Sequence, residues 1–157
     1  MPQRMGANIR FVQAVRAAGL ELVIQNLAKD TRTAIDAASV LGCQLEQIVK
    51  SLVFICGEEF LLVLAAGSNK VSESKLRRVT GEPVKRASPT QVRKATGYSI
   101  GGVPPIGHAK KLKCLFDPLL LANETVYGGA GTPSSVFAIS SSTLLDLTAG
   151  SIEQFTE

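Results

Sequence analysis

Two apolar runs dominate the pattern of the chain. Residues 49–56 are interrupted only by Lys50 and Ser51, and residues 60–66 are not interrupted at all. Gly57-Glu58 separates them, so the pattern predicts a β-hairpin with strands over 49–56 and 59–66. Before the hairpin, Asn8 is a candidate cap for a helix reaching about residue 18, with Gly19 as its stop. Residues 20–25 alternate with a period near two and predict a strand. Thr33 and Asp36 have the spacing of a capping box, which opens a helix ending at Gly42, and a short helical turn over 45–48 follows. After the hairpin, Ser72 caps a helix over 73–79 closed by Gly81, and residues 83–86 are extended. Ser88-Pro89 opens another helix, with Pro suited to the first turn, and Gly97 closes it. Residues 112–116 predict a strand, and Asp117-Pro118 starts a helical turn through Leu121. Strands over 125–127 and 136–139 flank a Gly-rich loop over 128–133, and Ser141 or Ser142 caps a last helix around 144–147. Short strands and helices are mixed and one hairpin is clear, so the expected class is α+β rather than a pure parallel sheet. No repeat, low-complexity tract or linker divides the 157 residues, which are expected to form a single domain, 1–157.

Composition narrows the function classes. Hydrophobic residues at 45% with 19% charged residues are ordinary for a globular protein and exclude a disordered chain. The longest apolar run is far too short to span a bilayer, and residues 1–10 lack the apolar stretch of a secretory signal, so the expected compartment is the cytoplasm. Cys43, Cys56 and Cys114 are odd in number and widely spaced, which predicts neither a disulfide framework nor a zinc site. The net charge of +4 conceals an asymmetry: residues 1–64 are neutral, residues 65–114 carry net +9, and residues 115–157 carry net −5. A segment this basic calls for a polyanionic partner or else forms solvated helix faces. Its one aromatic is Tyr98, so phosphate contacts are expected rather than base stacking.

The candidate chemistry lies in two places. Residues 97–108 hold four Gly and two Pro in twelve positions, and they end on the chain's single histidine, His108. Such a segment is neither a helix interior nor a central strand. It is a shaped loop, either a tight connection or a backbone-lined cradle for developing negative charge. Lys50 is the second place. A cation entering a buried strand is either an edge residue that deters strand pairing or a desolvated donor to a carbonyl or phosphate oxygen. His108 is a candidate general base or an exposed loop residue beside Lys110 and Lys111. No nucleophile elbow, phosphate-binding glycine loop or dinucleotide fingerprint is present.

Taken together, Thr31-Arg32-Thr33-Ala34, the stretch Ile48-Val49-Lys50-Ser51-Leu52-Val53-Phe54, the stretch Gly101-Gly102-Val103-Pro104-Pro105-Ile106-Gly107-His108 and the Gly128–Pro133 loop resemble the YbaK/prolyl-tRNA-synthetase-associated editing domain family over about residues 10–150. The resemblance implies a curved, mixed, largely antiparallel sheet wrapped by helices. It also implies hydrolysis of the ester of mischarged aminoacyl-tRNA, most often proline tRNA carrying alanine or cysteine, with no metal or organic cofactor. By position, Lys50 matches the family's essential lysine. Gly101 and Gly102 match the glycines of its GxxxP loop, Pro105 matches the proline, and Gly128 to Thr132 match the wall facing the aminoacyl group. The resulting expectation is a catalytic set of Lys50, Gly101 and Gly102. Thr33, Ser51, Pro105, His108, Gly129, Gly131 and Thr132 are expected to bind substrate, and Lys70, Lys110, Lys111 and Lys113 to bind tRNA. Some relatives specialised for cysteine carry an acidic residue just after the second loop. Ser134-Ser135 stand here instead, which points away from cysteine. The partners implied are aminoacyl-tRNA and an aminoacyl-tRNA synthetase. The competing functions are a non-catalytic tRNA-binding module and a small-ester hydrolase.

Overall fold

A computed structural model describes residues 2–27 and 33–157, with side chains from residue 9 onward in the first helix. The elements run α1 (Pro2–Ala17), β1 (Ile24–Asn26), α2 (Ala34–Leu41), β2 (Val49–Cys56), β3 (Glu59–Ala66), α3 (Glu73–Thr80), β4 (Val84–Arg86), α4 (Pro89–Thr96), β5 (Lys113–Phe116), β6 (Thr125–Gly129), β7 (Ser135–Ser140), α5 (Ser141–Thr148) and β8 (Ser151–Ile152). Short 3-10 turns at Leu45–Gln47 and Pro118–Ala122 precede β2 and β6. The fold is α+β, and its mixed, mostly antiparallel strands are divided between two sheets. One has the order β4-β2-β3-β5-β8 and the other β1-β7-β6. A parallel bridge between Ile48 and Tyr127 joins them.

The hairpin forms as its pattern predicts, with Val49 opposite Ala66 and Cys56 opposite Glu59. β3 is apolar at successive positions because both of its faces are covered. Leu62, Leu64 and Ala66 join Phe11, Phe116 and Phe137 in one core, while Leu61, Val63 and Ala65 join Phe54, Leu76 and Phe155 in another. Each fully buried leucine contributes about 1.5–3 kcal/mol. β5 adds to β3 in parallel, Leu61 facing Lys113 and Leu64 facing Phe116. On the other side, β4 covers only Phe54 to Cys56 of β2. The start of β2, at Lys50 and Ser51, is therefore left as an open sheet edge.

Local capping chemistry explains most helix limits. Thr33 and Asp36 form a complete capping box on α2, and Ser88 and Gln91 form another on α4. Four expectations are corrected. Asn8 lies inside α1, which begins at Pro2 because Gln3, Arg4 and Met5 are adequate helix formers. The strand expected over 20–25 is instead Ile24–Asn26, the three residues that pair with Ser135–Phe137 of β7. Ser140, not Ser141 or Ser142, caps α5. Gly128 and Gly129 belong to β6 rather than to the following loop. Thr31 and Arg32 lie outside the described residues. Among the described residues no helix is long and apolar enough to cross a membrane.

Candidate active site

The open edge of β2 forms one wall of a cleft of about 460 Å³. Thr33, Ala34 and Ala37 of α2 line a second side, Ile100, Gly101 and Val103 of the first Gly/Pro loop a third, and Gly129, Thr132, Pro133 and Ser135 a fourth. The chain thus brings Thr33, Lys50, Ser51, Gly101, Gly129 and Thr132 together from four separate segments.

The two glycine loops are positioned by mutual contact. A Cβ on Gly102 would stand 2.9 Å from the Gly131 carbonyl oxygen, and one on Gly128 would stand 2.7 Å from Pro105 Cγ. Only glycine permits either approach. From the other side, α1 braces the first loop. Arg10 donates to the Gly97 carbonyl and its guanidinium lies 5.6 Å from the centre of the Tyr98 ring, while Tyr98 donates its hydroxyl to Gly107 O at 2.9 Å. So supported, Gly101 holds a φ of +90° at the cleft surface. Its amide donates to nothing within the described residues. The Gly102 amide is already committed to Ser99 O at 2.9 Å, and Gly102 is buried behind Gly101.

Lys50 is half-buried, and its Nζ donates to the Asn69 carbonyl. Burial lowers its pKa below that of an ordinary lysine, the Arg86 guanidinium lowers it further, and Asp117 opposes both. The next residue, Ser51, carries a buried hydroxyl with no hydrogen-bond partner among the described residues. An unsatisfied buried hydroxyl costs about 1–3 kcal/mol. Thr33 Oγ1 accepts from Asp36 N and retains its own proton to donate. Thr132 and Ser135 share a hydroxyl–hydroxyl bond of 2.6 Å. Lys50 and Arg86 are the only ionisable side chains lining the cleft among the described residues. Their positive charge stands in a lining otherwise made of apolar residues and the hydroxyl residues Thr33, Ser51, Thr132 and Ser135, and suits an anionic or oxyanionic ligand.

Other expected residues lie elsewhere. Pro105 is buried beneath Gly128, and Gly131 beneath Gly102. His108 lines a separate depression with Lys110, Lys111 and Leu112, where its Nε2 lies 2.6 Å from Pro104 O. Burial lowers the His108 pKa, partly offset by that contact. Lys110, Lys111 and Lys113 are exposed on the far flank of the sheet, whereas exposed Lys70 adjoins Asn69 at the Lys50 end. Three groups escaped the sequence reading: Arg86, Asn69 and Asp117. Arg86 was visible only as one of eleven cations in the basic segment. Cys114 is buried, with its thiol pushed up to about 12, which leaves it inert. Among the described residues no group of three or more His, Cys, Asp and Glu side chains is placed to hold a metal ion.

Comparison with known proteins gives this geometry a context. Residues 28–147 match the model of the aminoacyl-tRNA editing domain. The uncharacterised protein YwhH of Bacillus subtilis (strain 168) is 35% identical over 104 residues, 66% of each chain. A proline–tRNA ligase of Stenotrophomonas maltophilia (strain K279a) is 33% identical over 131 residues, 80% of this chain. The chain spans only 23% of that ligase's length. A crystal structure described as a candidate trans-editing enzyme for prolyl tRNA synthetase superposes with a TM-score of 0.92 at 37% identity, covering 96% of this chain and 97% of that one.

Proposed function

The chain belongs to the aminoacyl-tRNA editing domain family, and from that premise we propose that it is a deacylase that hydrolyses the ester of mischarged tRNA. The leading substrate is proline tRNA carrying a small non-cognate amino acid such as alanine. That choice draws on the proline–tRNA ligase relative and on the likeness to a candidate trans-editing enzyme for prolyl tRNA synthetase. A tRNA substrate places the work in the cytoplasm, beside an aminoacyl-tRNA synthetase.

One observation carries the reading. Half-buried Lys50, Ser51 and Gly101 line one cleft, and among the described residues the Ser51 hydroxyl and the Gly101 amide have no partner. Ester hydrolysis passes through a tetrahedral oxyanion, and fixed donors in a water-poor site stabilise that charge most. Lys50 and the Gly101 amide are the donors in this scheme, and Ser51 and Thr33 hold the substrate's polar groups. The Gly129–Thr132 wall and Ala37 limit the space for the amino-acid side chain. Since Lys50 and Arg86 are the only ionisable groups lining the cleft among the described residues, and both are cations, the attacking water is positioned with help from the substrate's own ribose hydroxyl. Pocket size alone separates close homologues by about 1–3 kcal/mol per methylene, so discrimination among alanine, serine and cysteine is loose.

The test is hydrolysis of alanyl, cysteinyl, seryl and threonyl forms of proline tRNA by the purified protein, with prolyl-tRNA as the control. Rapid release of alanine with slow release of proline supports the reading. No release from any form leaves a tRNA-binding module instead.

A further inference from the structure

We propose that Asn69 and Asp117 are positioning residues for Lys50: the Asp117 carboxylate fixes the turn after β3, and the Asn69 carbonyl in that turn aims the Lys50 ammonium into the cleft. This inference rests on the deacylase reading above. Asp117 is 1% exposed, yet its carboxylate accepts three hydrogen bonds. Oδ1 accepts from Leu119 N at 2.9 Å, which is the ordinary work of a cap on the 3-10 turn at Pro118–Ala122. Capping does not account for Oδ2. That oxygen accepts from Ala66 N at 3.0 Å and from Asn69 Nδ2 at 2.9 Å, and so pins both ends of the turn over 66–69. Asn69 N closes the same turn on Ala66 O at 2.9 Å. Within it, a Cβ on Gly67 would stand 2.5 Å from Leu45 O, so the backbone has no room to relax.

Lys50 stands opposite Ala65, one residue before the pinned segment, and its ammonium reaches the Asn69 carbonyl. An ammonium has three protons. Asn69 takes one and thereby restricts the directions of the other two, on a side chain that lines the cleft. Among the described residues two charged groups face Lys50: Arg86 from β4, which disfavours its charge, and Asp117, which favours it. Asp117 therefore does two things through one relay. It orients Lys50 by way of Asn69, and its charge opposes the lowering of the Lys50 pKa that burial and Arg86 impose.

Two variants separate these effects. Asn69→Ala keeps the backbone carbonyl but removes the amide bond to Asp117, and Asp117→Asn removes the carboxylate charge. Folding is checked by thermal melts. The Lys50 ε-carbon is followed by NMR across pH, its signal assigned by its loss in Lys50→Arg. Asn69→Ala is expected to lower kcat on mischarged tRNA about ten- to hundredfold, with KM within about twofold, because a small misplacement of a catalytic group carries that cost. Asp117→Asn is expected to move the Lys50 titration midpoint, and the alkaline limb of kcat with it, to lower pH. A folded Asn69→Ala that turns over at the wild-type rate overturns the proposal, and so does an unmoved Lys50 midpoint in Asp117→Asn. If Asp117→Asn does not fold, Asn69→Ala decides. If the wild-type protein deacylates nothing, the functional reading fails, and the Lys50 midpoint in Asp117→Asn and the Lys50 ε-carbon shift in Asn69→Ala decide this inference alone.

Discussion

Lys50 and the trio Lys110, Lys111 and Lys113 are the same residue type in opposite settings. Lys50 enters β2 half-buried, with an ammonium tethered to Asn69 and a depressed pKa. The trio is exposed. Along β3, Lys50 stands beside Ala65 on one side and Lys113 beside Leu61 on the other, a separation of about 13 Å along the strand at roughly 3.3 Å per residue. Charge in the cleft acts at close range through little water and is strong. Charge on the flank is screened within a Debye length and acts mainly on encounter. The comparison teaches that the +9 of the central segment is not one functional unit. The account assigns chemistry to the isolated lysine outside that segment and attraction to the crowded lysines inside it.

The largest expected effect follows from removing the buried member. Lys50→Ala should cut deacylation by about 10²–10³, the typical cost of losing one preorganised donor, with a melting temperature near wild type. A folded mutant within a few-fold of wild-type activity breaks the comparison. Next comes the frame that holds the opposite lip. Gly102→Val should destabilise the protein by about 1–3 kcal/mol, because its side chain would overlap the Gly131–Thr132 backbone, and activity should fall with it. Equal thermal melts for mutant and wild type would show that the two loops can separate. Ser51→Ala sharpens the cleft side through opposite signs. Its melting temperature should hold or rise, since a buried unsatisfied hydroxyl is removed, while kcat/KM falls by the equivalent of about 0.5–1.5 kcal/mol. A loss of stability without loss of rate contradicts a substrate-holding role.

The smallest effect lies on the flank. The folded state holds His108 below its ordinary pKa of 6.5, so the unfolded chain binds more protons in acid. Stability from this group is complete above pH 6.5 and declines as pH falls below it. Thermal melts between pH 7.5 and 5 should show the decline, and His108→Gln should flatten it. An identical slope in both proteins removes His108 from the acid response.

Much of this frame was legible in the sequence, because the deciding signals are local. The Thr33 and Ser88 capping boxes and the 49–66 hairpin are set by residues two to four apart. The exceptions depend on partners far along the chain. β1 is confined to the three residues that pair with distant β7, and β8, two residues long, has no periodicity to read. Lys50 stood out as a cation in an apolar run, but its tether is 19 residues away, and the next link, from Asn69 to Asp117, crosses 48 more. Asp117 announces itself as a cap, which it is, while its second oxygen's role exists only after β3 and β5 pair. The Gly102 amide looked available and is committed to Ser99, a bond set by the turn's exact geometry rather than by composition.

The division of labour between cleft and flank is tested most directly by measuring kcat/KM against salt for two substrates, alanyl proline tRNA and alanine esterified to adenosine alone. The account predicts a steep fall with salt for the tRNA, about −0.7 to −0.9 in log–log slope per phosphate contact, and a flat, much lower value for the small ester. Charge reversal at Lys110, Lys111 and Lys113 should lessen the first slope and leave the second untouched, while Lys50→Ala should abolish both activities. Equal rates and equal, flat salt dependence for the two substrates would contradict it and make the protein a hydrolase of small esters.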